Sequence, residues 1–95
     1  MNGNYQYNYS QLRPSVFDTE IRSRKAVTIV KVCQDFLRTQ DLSGLTLLDV
    51  GSSSGIIDNV LADYFGAVYG IDIDEPAMQF ARETFNKPNL HFAQG

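Results

Sequence analysis

The stretch Leu47-Leu48-Asp49-Val50-Gly51-Ser52-Ser53-Ser54-Gly55 joins an apolar run, an acidic residue and a loop built only of glycine and serine. The apolar positions of a helix follow at once. A strand, a tight turn and a helix N-terminus in that order can bring bare backbone N–H groups and a helix dipole against a polar ligand. A second acidic residue, Asp72, closes the next apolar run, 21 residues after Gly51. That is close to the spacing of about 20 residues at which a carboxylate accepts both hydroxyls of a ribose. Two acceptor oxygens match two vicinal donors. Together these residues point to a nucleotide-like ligand.

Which nucleotide-like ligand is a matter of spacing. The dinucleotide fingerprint places glycines at its first, third and sixth positions. Counted from Gly51, the third and sixth are Ser53 and Ile56, and Ile56 would obstruct close helix–strand packing. An NAD(P)-binding protein is therefore the weaker alternative. A P-loop would need Gly-Lys-Ser/Thr after the turn, and none is present. Asp49, directly before the turn, would repel a pyrophosphate and suits a ligand carrying a positive amine.

The elements that must position these groups alternate. Residues 1–15 are mostly Asn, Tyr, Gln and Ser with almost no aliphatics, and are expected as a flexible leader; the alternating Tyr5, Tyr7 and Tyr9 would also suit a lid. Asp18 or Thr19 can cap a helix running to about Thr39. Ala26, Ile29, Val30, Cys33, Phe36 and Leu37 form its apolar stripe. Arg22, Arg24, Lys25 and Lys31 read as a solvated face, from which an arginine could reach a ligand carboxylate. Leu45 to Val50 reads as a strand buried on both faces of a parallel sheet. Ile56 to Phe65 reads as a helix with Asp58 near its positive end and Gly66 after it. Ala67 to Ile71 is a second strand. Asp74 and Pro76 open a third helix, Asn86-Lys87-Pro88-Asn89 breaks it, and Leu90 to Ala93 begins a third strand. The order predicts an α/β fold with a parallel sheet and right-handed crossovers.

LLDVGSSSG resembles motif I of the class I S-adenosylmethionine-dependent methyltransferases, an acidic residue followed by Gly-x-Gly-x-Gly. VYGIDID is similar to their second-strand motif, EPAMQFARETF to the helix after it, and LHFAQG to the third strand. The resemblance covers Leu45 to Gly95 in order and spacing. It implies the N-terminal part of a Rossmann-like class I methyltransferase fold over residues 16–95, a helix followed by β-α-β-α-β, truncated after the third strand. It also implies S-adenosylmethionine as cofactor. By the same resemblance, Asp49 approaches the methionine amine, and Gly51, Ser52 and Ser53 contact the methionyl part through backbone. Gly55 allows close helix packing, Asp72 binds the ribose hydroxyls, and Ile73 lies against the adenine. Ser53 departs from the family's middle glycine, which costs about 1 kcal/mol if the position needs positive φ. In the family's sheet the first strand is central and its other neighbour comes later in the chain. The 95 residues alone are accordingly expected to show no turnover, and either to self-associate through an uncovered first strand or to be only marginally stable.

Composition narrows the rest. A net charge of -3 gives no basic surface for nucleic acid, so a small-molecule acceptor is expected first, with protein and lipid-linked acceptors left open. The single cysteine, Cys33, excludes an intramolecular disulfide and fits packing in a reducing compartment. No apolar run approaches the ~18 residues of a membrane span, and no signal peptide opens the chain, so a soluble cytoplasmic protein is expected. His91, the only histidine, falls inside a strand pattern and is given no catalytic role. No metal site is assigned.

Overall fold

The computed structural model describes residues 16–95, with side chains from Thr19 onward; the leader and tyrosine strip expected over 1–15 lie outside the described residues. The elements run α1 (Val16–Leu37), β1 (Thr46–Val50), α2 (Ile56–Leu61), β2 (Ala67–Asp72), α3 (Glu75–Thr84) and β3 (Leu90–Gln94). None of the described helices is long and apolar enough to cross a membrane.

The strands form one parallel sheet in the order β1-β2-β3. Register sets Asp49 beside Gly70 and Gly70 beside Phe92. Each strand is laid down on the same side of its predecessor, so right-handed crossovers put α2 and α3 on one face. Val68 and Leu90 are buried beneath them, with Leu47 and Phe92 packed against the same core. The opposite face carries Leu48, Tyr69 and Val50, which is 77% exposed. Strand β1 is therefore an edge strand covered on one face among the described residues, not on both as its apolar run suggested.

Helix α1 begins ahead of Asp18 and Thr19, so neither caps its start. It ends at Leu37: Arg38 takes a left-handed φ of 55°, and the Thr39 N–H donates back to the Gln34 carbonyl at 3.0 Å, a common helix C-terminal closure. Ala26 and Val30 are buried and Ile29 and Cys33 pack on the core, but Phe36 is 83% exposed and Leu37 is exposed too. The stripe outruns its support. Helix α1 has 22 residues and packs on α2, which has 6, a surface only about 9 Å long.

Helix α2 stops four residues before the expected Phe65. Asp63 and Tyr64 donate to the carbonyls of Val60 and Leu61, each at 3.0 Å, so the chain tightens into a 3₁₀-type turn. The loop before β3 then closes this end. Asn89 Nδ2 donates to the carbonyls of Ala62 at 2.8 Å and Phe65 at 3.1 Å, and Lys87 Nζ pairs with Asp63 at 2.8 Å. Gly66 has no left-handed φ, so it is not the cap expected. Helix α3 matches its sequence signals. The Asp74 side chain accepts the Ala77 N–H at 3.1 Å, Pro76 sits in the first turn, and Ala77, Met78 and Ala81 are buried.

Candidate functional site

All three strands end on one edge of the sheet, and the turn 51–55 and Asp72 meet there. The Gly51 and Ser52 N–H groups both donate to the Ile71 carbonyl, at 2.7 and 3.1 Å. The Ser53 N–H donates to Asp72 Oδ2 at 2.7 Å, and the Gly55 N–H to the Ser52 carbonyl at 3.2 Å. The expectation of bare N–H groups therefore fails at these four positions: the turn spends them on β2 and on itself. No hydrogen bond reaches the Gly51 and Ser53 carbonyls among the described residues. With those four donors spent, the turn presents the Gly51 and Ser53 carbonyls as acceptors and the Ser54 N–H as a remaining donor.

Ser53 does occupy a left-handed conformation, φ 54°, so the missing middle glycine is a strained position. The Ser52 hydroxyl is turned to the Met78 sulfur at 3.9 Å, leaving backbone as what Ser52 can offer a ligand. Gly55 has φ 83°, and a Cβ there would sit 2.6 Å from the Phe92 ring and 3.1 Å from Ala81 Cβ. Its lack of a side chain lets α2 and α3 close over the sheet.

Asp72 is held by two donors. Besides Ser53 on Oδ2, the Asp74 N–H reaches Oδ1 at 2.9 Å. Each carboxylate oxygen can accept more than one hydrogen bond, so both keep capacity for a further donor while their orientation is fixed. Beside it Ile73 is 80% exposed, an open apolar surface at the strand end.

On the other side of the turn lies a cavity of about 270 Å³. Asp49 lines it from β1, Gly51, Ser52 and Ser53 from the turn, Ile57 from α2 and Arg22 from α1. Of the seven residues singled out in the sequence, four share this cavity. Asp72 and Ile73 sit beyond the turn, linked to it by the Ser53 bond, and Gly55 is structural. Arg22 is a wall residue rather than only part of a solvated face. Its position four residues before Ala26 and seven before Ile29 puts it on the packed side of α1, a spacing that marks it in the sequence.

Behind Asp49 lies Asp58, in the first turn of α2 as the sequence places it. It is 0% exposed, and among the described residues neither of its carboxyl oxygens has a hydrogen-bond partner. Its carboxyl, the Ser52 Cβ and the Phe92 ring converge over Gly70, where a Cβ would collide with all three. Burial, and then the neighbouring Asp49, raise its pKa to about 9. Two signals mark this pair in the sequence: a glycine in mid-strand, which often permits a close approach, and an aspartate three and four residues before the buried Leu61 and Ala62.

Three comparisons bear on the site. The family model described as a methyltransferase domain matches residues 48–95. The ribosomal protein L11 methyltransferase of Vibrio campbellii is 44% identical over 55 residues, 56% of this chain and 18% of the relative. Its counterpart from Dictyoglomus thermophilum is 38% identical over 61 residues, 62% of this chain and 20% of the relative. The chain thus spans about a fifth of the length of these relatives. Among solved structures, S-adenosylmethionine-bound CalS10, an amino pentose methyltransferase from Micromonospora echinaspora, superposes with a TM-score of 0.63 at 21% identity, over 88% of this chain and 36% of that one. At that identity the likeness is one of fold.

Proposed function

The chain belongs to the methyltransferase domain family, and from that premise we propose that it binds S-adenosylmethionine and forms the donor seat of a methyltransferase. The resemblance read from the glycine–serine turn and the second strand holds for family and fold. The observation that carries the functional reading is Asp72: a carboxylate oriented by two backbone donors at 2.7 and 2.9 Å, beside an open Ile73 and one turn away from a cavity.

The residues fit this ligand in three places. Asp72 retains acceptor capacity for the two ribose hydroxyls, and Ile73 offers an exposed apolar contact for the adenine. The cavity places an arginine and an aspartate, Arg22 and Asp49, on its walls, a pairing suited to the carboxylate and ammonium ends of an amino acid. Four of the turn's N–H groups are spent on β2 and on the turn itself, which supports this ligand over the pyrophosphate of NAD(P).

S-adenosylmethionine supplies an activated methyl group on a sulfonium. The residues described here hold the donor and fix where that methyl points, which is the orientation component of catalysis. Seats of this kind serve different acceptors: the curated relatives are named for a ribosomal protein and CalS10 for an amino pentose. The curated relatives' names favour a protein acceptor over the small molecule expected from composition. Equilibrium dialysis with labelled S-adenosylmethionine tests the donor reading. Retention displaced by S-adenosylhomocysteine and not by NAD supports it, and the reverse order of competition overturns it.

A further inference from the structure

Asp58 has no place in the donor seat as described, and its burial demands an account. An ionised carboxylate taken out of water without hydrogen bonds costs several kcal/mol. Both Asp58 oxygens are in that position, and Asp49 is the register partner of Gly70, on the sheet face over which the Asp58 carboxyl sits. Two ionised carboxylates have no donor between them, whereas one proton supplies it. The other surroundings offer no substitute. From β2 the neighbour is Gly70, from β3 the Phe92 ring, and from the turn Ser52, whose hydroxyl is engaged with Met78. Arg22, on α1, stands on the wall of the cavity that Asp49 lines.

We propose that Asp58 is held as the neutral acid and donates its proton to Asp49, making it a positioning residue that fixes the one anionic carboxylate presented to the donor's ammonium group. The inference rests on the donor reading for its consequence but not for the shared proton itself. One proton between two carboxyls leaves the pair with a single negative charge. That charge matches a single ammonium, while Arg22 matches the ligand's carboxylate. The proton also satisfies an Asp49 oxygen on the side away from the cavity, so the remaining lone pairs face the ligand. Gly70 makes room for the pair, since any side chain there would displace the Asp58 carboxyl.

The test has two parts on the full chain. Infrared spectra at neutral pH should show the C=O stretch of a protonated carboxyl that is lost in Asp58→Asn. Calorimetric titration with S-adenosylhomocysteine should then give a split between substitutions. Asp58→Asn keeps a donor toward Asp49 and should retain affinity; Asp58→Leu removes it and should bind about tenfold more weakly. As pH rises past 9 the unsubstituted chain should lose affinity relative to Asp58→Asn, the ligand's own amine titrating equally in both. A chain that binds and shows no protonated-acid band, or whose Asn and Leu variants bind alike, overturns the shared proton. A chain that shows the band and binds no donor overturns the donor reading while the proton-sharing pair stands.

Discussion

Asp72 Oδ2 accepts the backbone N–H of Ser53 at 2.7 Å, which ties the end of β2 to the turn that leaves β1. A side chain expected to serve a ligand is thus also the strut that sets the shape of the turn. The same carboxylate takes the Asp74 N–H, and Asp74 in turn caps α3. The second strand, the turn and the third helix share one chain of hydrogen bonds, so changes at the donor seat should be felt in stability as well as in binding.

Ser53 carries the strain of that arrangement at φ 54°. A non-glycine residue in the left-handed region costs about 1 kcal/mol. Ser53→Gly should therefore raise the urea midpoint by an equivalent of up to about 1 kcal/mol, reduced by glycine's greater freedom when unfolded. Ser53→Val, β-branched at the same φ, should lower it.

Gly55→Ala should destabilise the chain by about 1–3 kcal/mol, the usual range for overpacking. The new methyl would meet the Phe92 ring at 2.6 Å and Ala81 at 3.1 Å, at a φ of 83° that alanine rarely adopts. Chemical denaturation reads the loss. Gly55→Ala combined with Phe92→Leu should recover part of it if the ring is the obstacle.

The pH dependence of stability follows from Asp58, whose pKa is raised from 3.8 to about 9. The folded chain then holds a proton that the unfolded chain releases between those values. The stability it confers is full below about pH 4, declines as pH rises, and is gone above about pH 9. Urea midpoints should fall between about pH 5 and about pH 9. Asp58→Asn, which cannot ionise, should flatten that decline.

Arg22→Gln should weaken S-adenosylhomocysteine binding by about 1–2 kcal/mol, the scale of one charge-assisted hydrogen bond. The same substitution should leave 5′-methylthioadenosine binding unchanged, because that ligand lacks the amino-acid end that the cavity would hold. Calorimetry with the two ligands separates a contact to the carboxylate from a general effect on α1.

What could be read from the sequence was what local chemistry decides. The Asp74 cap, the Pro76 first turn, the alternation of strands and helices, and the approach of Asp72 to the glycine–serine turn all follow from residue types at fixed offsets. What could not be read depends on partners far along the chain. The stop of α2 at Leu61 is sealed by Asn89 and Lys87, and nothing near Leu61 announces them. The exposure of Val50 follows from sheet order, which places both crossover helices on one face. The exposure of Phe36 follows from the short α2 beneath a long α1. The first-turn position of Asp58 is legible in the sequence, but a carboxylate there is ordinarily a solvated partner of the dipole. Its burial depends on Gly70, on a different strand.

The most direct test is calorimetric titration of the chain and its Asp72→Ala variant with S-adenosylmethionine and with NAD. S-adenosylmethionine should bind the unsubstituted chain, NAD should not, and the substitution should weaken the former by about 1–3 kcal/mol. Binding of NAD without a response to S-adenosylmethionine, or donor affinity untouched by the loss of Asp72, would contradict the assignment of this turn as the methyl donor's seat.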